Sequence, residues 1–138
     1  MSSSIRATAD RAPARNRLNI LLWAAQILLA AMFALAAVPK LAGAHSAVQM
    51  FGEIGAGQWL RYLVGIAELA GAIGLLIPRL AGLAAAGLAA DMAGATVINA
   101  AVLHSSAFAT TIPLCVAFVL IARSRWTRTR SLTAAIRR

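Results

Sequence analysis

From Leu18 to Val38 the chain runs for twenty-one residues with no charge, and Asn19 and Gln26 are its only strongly polar side chains. A helix of that length crosses the roughly 30 Å hydrocarbon core of a bilayer. Three more apolar runs follow, at about 58–77, 80–103 and 107–121. Four such runs in 138 residues leave no room for a separate soluble domain. The chain is 61% hydrophobic and 12% charged, whereas a soluble domain is roughly half apolar and about a quarter charged. So short a chain could not bury that much apolar surface within itself. The expected fold is therefore all-α: an integral membrane four-helix bundle in a lipid bilayer. Its domains are a disordered basic tail over 1–17, the bundle over 18–123 and a second basic tail over 124–138.

The net charge of +9 suggests nucleic acid until its placement is considered. Arg6, Arg11, Arg15 and Arg17 precede the first run, Arg79 sits in the turn after the second, and Arg123, Arg125, Arg128, Arg130, Arg137 and Arg138 follow the last. Eleven of the thirteen basic residues thus gather on one side of a four-pass chain. Basic loops favour the cytoplasm, so both termini are expected there. The tails would also hold anionic lipid headgroups. No nucleic-acid-binding motif is present, so nucleic acid is not expected as a partner.

A cleaved signal peptide is the rival to a retained first span, because basic residues precede it and Ala34–Ala37 are small. The run exceeds the usual apolar segment of about 7–15 residues, which favours a retained span. Between the first two runs, Val48, Phe51 and Ile54 recur at helical spacing. They mark either a short amphipathic helix at the outer interface or an ordinary loop. Trp59 and Tyr62 are placed as interfacial aromatics. The fourth run is short and contains Pro113, so it needs local thinning of the bilayer or help from Arg123 and Trp126.

Chemistry is expected from the polar residues within the spans. Glu68 is the eleventh residue of the second span and Asp91 the twelfth of the third, so both lie near mid-depth. A charge there costs about 2.5–3.5 kcal/mol on insertion scales, so each acid needs a partner, a proton or a polar interior. Small residues share their helix faces: Gly65, Gly71 and Ala72 with Glu68, and Gly87, Gly94 and Ala95 with Asp91. Arg61, Lys40, Gln26 and Asn99 are the available partners. The six residues form a candidate polar cluster, either a pocket for a polar headgroup or a proton, or a set of packing contacts. His45 and His104 have no second ligand at a recognised spacing, so no metal is expected. With Cys115 alone, dithiol redox chemistry within the chain is excluded. No phosphate loop, nucleotide fingerprint or hydrolase elbow occurs.

Pro39-Lys40-Leu41 ends the first span, Phe51-Gly52-Glu53-Ile54-Gly55 follows, and Gly65-Ile66-Ala67-Glu68 leads to Gly74-Leu75-Leu76-Ile77-Pro78-Arg79. With Ala89-Ala90-Asp91-Met92-Ala93-Gly94-Ala95, this ordered set resembles the DoxX-like family of small four-helix bacterial membrane proteins, over about Leu18 to Arg123. The family takes its name from a relationship to a thiosulfate–quinone oxidoreductase subunit. The resemblance implies a subunit or accessory of a quinone-linked membrane redox system, with quinone as the possible cofactor and a membrane redox partner or a second copy as the assembly. Many relatives carry a histidine near the position of Asn99, and its replacement here puts histidine-dependent chemistry in doubt. A non-catalytic scaffold, and behind it a small proton or solute transporter, are the alternatives.

Overall fold

The computed structural model describes the backbone of residues 2–136, and side chains at 14–127, 129, 130 and 134. It is a bundle of four long helices with one short helix at its edge. Helix α1 is Ser2–Ala42, α2 His45–Ile54, α3 Gln58–Leu76, α4 Ala81–Ala101 and α5 Phe108–Ile136. Four stretches are long and apolar enough to cross a membrane: Ala14–Ala42, Gln58–Leu76, Ala81–Ala101 and Phe108–Thr127. The chain is a multi-pass membrane protein. The backbone of residues 2–17, expected as a disordered tail, is the first part of α1.

Local chemistry sets the breaks. Gly43 leaves α1 with φ 72°, and the Ala44 N–H donates to the Pro39 carbonyl, a glycine-ended helix terminus. Pro78 ends α3, because the residue before a proline is pushed out of the helical region; Ile77 is extended, with φ −97° and ψ 112°. The resulting turn, residues 77–80, ties α3 to α4 in antiparallel order.

Helix α5 also runs past its expected end. It does not stop near Ile121 but continues through the basic segment to Ile136. Its apolar portion, Phe108–Thr127, is 20 residues long, enough to cross without a thinned bilayer. The helix can continue because Arg125 turns inward and finds acceptors on α1. The segment over 45–54 resolves as a helix, with Ala47 and Phe51 buried.

Leu29, Ala30, Phe33, Ala72, Leu75, Ala85, Leu88, Ala89, Met92, Phe118, Ile121 and Ala122 form one core. Phe33 meets Phe118 edge-to-face at 5.0 Å between ring centroids. Elsewhere the packing depends on missing side chains. A methyl group on Gly71 would lie 2.6 Å from Leu88 Cγ, and one on Gly74 2.7 Å from Ala84 Cβ, so α3 and α4 approach as membrane helices with small contact residues do. The outside is apolar. Leu21, Leu28 and Leu35, seven residues apart on one face of α1, are 66%, 69% and 73% exposed, a surface suited to lipid rather than water.

Candidate functional site

The six candidate residues do not form one cluster. The structure sorts them into a deep ion pair, a clasp at the opposite end of the bundle, a groove and an isolated amide.

The ion pair joins α1 to α3. Lys40 Nζ lies 2.7 Å and 2.9 Å from the two carboxylate oxygens of Glu68 and also donates to the Ala36 carbonyl at 3.2 Å. Helical side chains lean toward the N-terminus of their own helix. Because α1 and α3 are antiparallel, Lys40 leans into the bundle while Glu68 leans toward it. Gly65 makes the approach possible: a methyl there would lie 2.9 Å from Leu41 Cδ2 and 3.2 Å from Lys40 Cβ. The carboxylate is almost fully buried, at 5% exposure, and Lys40 is at 15%.

Arg61 shares Glu68's helix face, yet it bonds elsewhere. It is buried, its Nε donates to Gln58 Oε1 at 2.8 Å, and its Nη1 donates to the Lys40 carbonyl. Its guanidinium also lies over the Tyr62 ring, 4.1 Å from the centroid. Arg61 therefore caps the carbonyl end of α1, where a cation is favoured by both the unpaired carbonyls and the helix dipole. Gln58 in turn donates to the Val48 carbonyl at 3.0 Å. One short chain of bonds thus fixes the ends of α1, α2 and α3 behind the ion pair.

Gln26 lies at the opposite end of the bundle from Arg61. It is fully buried, donates to the Leu75 carbonyl at 2.6 Å and accepts from Arg125 Nε at 2.8 Å. Arg125 Nη1 donates to Asn19 Oδ1 at 2.8 Å, and its guanidinium carbon lies 5.5 Å from the centre of the Trp23 ring. This clasp joins α1, α3 and α5. Sequence reasoning assigned Arg125 to a tail and Asn19 to a helix edge. The available signal was Gln26 itself, a buried amide that had to find partners.

Asp91 takes a third position. It is half-buried on α4 and is acted on electrostatically by Glu68 and Lys40. Its Oδ2 is buried and has no hydrogen-bond partner. The carboxyl lies at one end of a groove of about 290 Å³ between α3 and α4. Gly71, Gly74, Leu83, Ala84, Gly87 and Leu88 supply most of the remaining lining. Ala67, Ala70, Leu80, Leu83 and Gly87 are exposed, so the groove opens sideways to the surface that faces lipid. It extends from the 77–80 turn to Asp91, about 16 Å along α4.

Asn99 joins none of these. It donates to the Ala95 carbonyl of its own helix at 2.8 Å, while the hydroxyls of Thr96 and Thr111 bridge α4 and α5 at 2.7 Å. Cys115 Sγ donates to the Ala89 carbonyl at 3.4 Å. His45 and His104 are exposed. Among the described residues, no three His, Cys, Asp or Glu side chains come together.

The interior thus offers a fixed ion pair and the Asp91 carboxyl, which lines an apolar groove and keeps one oxygen without a hydrogen-bond partner. The first is saturated by its own partners. The second can accept a hydrogen bond as a carboxylate or donate one as a carboxylic acid.

No curated protein and no solved structure matches the chain. The family model of the DoxX-like family matches residues 24–122. That stretch contains the ion pair, the groove and Gln26 of the clasp, and stops just short of Arg125. The chain belongs to the DoxX-like family.

Proposed function

We propose that this protein is an accessory subunit of a quinone-linked membrane redox system, and that it holds the lipophilic carrier in the groove between α3 and α4. The observation that carries this reading is Asp91, which lines the end of an apolar groove open to lipid and whose buried Oδ2 has no hydrogen-bond partner. Sites for small molecules are mostly apolar, with a few polar groups that fix orientation. The groove's volume suits a ring-sized head, and its open side leaves an isoprenoid tail in the membrane. Asp91 suits both forms of such a carrier: the carboxylate accepts from a quinol hydroxyl, and the carboxylic acid donates to a quinone carbonyl. When bound, the carrier supplies the electron chemistry. The chain's residues seat its head, shield it from water and hold a proton at Asp91. The Lys40–Glu68 pair maintains the wall behind that seat. The same reading puts the arginine-rich end in the cytoplasm of a bacterial cell, with the α2 end outside.

The test is titration of nanodisc-embedded protein with a short-tailed quinone and with its quinol. Saturable binding that Asp91→Asn weakens about tenfold for the quinol, and less for the quinone because the amide can still donate to a carbonyl, supports the site; loss of one hydrogen bond to a charged group is worth about 1.5–3 kcal/mol. Absence of saturable binding rejects the redox reading.

A scaffold role is the second reading, and Gly87 and Gly94 favour it. They stand seven residues apart on α4, and a methyl group on either would meet nothing within 4 Å. A helix of another membrane protein could approach closely there. Gentle extraction should then yield a stable partner at fixed stoichiometry. A solitary protein would count against this role.

A further inference from the structure

The end of the bundle that carries Arg125 has a second arginine with the opposite orientation. Residues two apart lie on nearly opposite faces of a helix, and residues three apart share a face. Arg125 is buried against α1, which turns Arg123 outward. Trp126 lies on the same side as Arg123, and both are exposed. With Ala122 they line a recess of about 360 Å³.

The depth of this recess follows from Gly82. A methyl group there would lie 2.6 Å from Thr129 Oγ1 and 3.3 Å from the Arg125 backbone. So α5 at 125–129 is level with the first turn of α4, just past Arg79. This is where the helices leave the apolar layer. One to two turns farther in, Val116, Val119 and Leu120 are exposed on α5. The recess therefore lies where an apolar, lipid-facing surface meets a cationic one. The acids whose side chains are described, Glu53, Glu68 and Asp91, are on α2, in the deep pair and at the far end of the groove. None stands beside Arg123 to attract the ammonium of a zwitterionic headgroup.

We propose that Arg123 and Trp126 form a specific site for an anionic phospholipid. The guanidinium offers paired donors that match a phosphate diester. The indole sits at headgroup level, as aromatic residues do at membrane boundaries. The acyl chains continue along Val116, Val119 and Leu120. A soluble phosphate shares the headgroup chemistry but makes no use of this apolar surface. The site is independent of the groove reading, since it is on another helix face at the arginine-rich end.

The test uses a Trp23→Phe/Trp59→Phe variant, in which Trp126 is the sole tryptophan, reconstituted in phosphatidylcholine vesicles. A small proportion of the lipid is brominated phosphatidylglycerol or brominated phosphatidylcholine. Circular dichroism and thermal unfolding first establish that the variant keeps the wild-type fold; if it does not, bound lipid is counted on the otherwise wild-type protein by native mass spectrometry instead. The expected result is a preference for phosphatidylglycerol that Arg123→Gln reduces about tenfold, the loss of a charge-assisted hydrogen bond to phosphate. Arg79→Gln should reduce it much less. Equal quenching by the two lipids overturns the proposal. So does an equal loss in the two arginine variants, which would mark diffuse charge attraction. Competition by millimolar inorganic phosphate would also overturn it, since the site would then be one for soluble anions.

Discussion

The bundle draws in three long cations, Lys40, Arg61 and Arg125, and two of them, Lys40 and Arg125, meet different partners at opposite ends. Lys40, drawn inward from the last turn of α1, meets the carboxylate of Glu68. Arg125, at the other end, meets the amides of Gln26 and Asn19 and the ring of Trp23. The difference follows depth and chemistry. Glu68 is in the middle of α3, where an uncompensated charge is most costly, and the compact ammonium of a lysine is strongly hydrated in water. Arg125 is level with the start of α4, close to the headgroups. Its guanidinium is planar, more weakly hydrated and well suited to several neutral acceptors and an aromatic face. The deep site exchanges charge for charge, whereas the boundary site includes two amides and an aromatic ring among the partners of its cation.

That contrast predicts a ranking. The largest loss is expected for Glu68→Gln, which strands the Lys40 ammonium. Removing one partner of a buried pair costs about 3–5 kcal/mol, readable as unfolding in detergent or SDS titration. The double substitution Lys40→Met/Glu68→Leu should recover most of it, because no lone charge remains. If the double variant is as weak as the single one, the pair is not an isolated unit. Next comes Arg125→Met, expected to cost about 2 kcal/mol, since it leaves the buried amide of Gln26 without one of its hydrogen bonds. A loss equal to that of Glu68→Gln would erase the distinction between the two ends. The smallest pair of effects separates close contact from open surface on the groove helices. Gly71→Ala drives a methyl group into Leu88 and should cost about 1–3 kcal/mol. Gly87→Ala has empty space beside it and should stabilise by about 0.5–1 kcal/mol, since glycine inside a helix is less favourable than alanine.

Much of the fold was legible because hydropathy windows respond to single stretches of chain. The four spans, the 77–80 turn and the helical spacing of Val48, Phe51 and Ile54 are local signals. The candidate site was legible in its members but not in its pairings. Arg61 and Glu68 share a face of α3, which made them plausible partners; the side-chain lean of antiparallel helices gives Glu68 to Lys40 and leaves Arg61 to cap α1. Gln26 and Arg125 are 99 residues apart, and an arginine after an apolar run ordinarily marks the end of a span. Only the packing of α5 against α1 reveals that this one turns inward. Asn99 bonds within its own helix, a position that its spacing from Asp91 could not disclose.

The short link at 77–80 has a mechanical consequence for the groove. With so few residues between them, α3 and α4 cannot slide past each other along their axes, and their neighbouring ends cannot part. Any change in the width of the groove must therefore be a splaying of the two helices, pivoted at the link like the arms of a clothes peg. The opening is greatest at the far end, where Asp91 sits. A bulky molecule entering from the bilayer would move the carboxyl wall most and the arginine-rich end least.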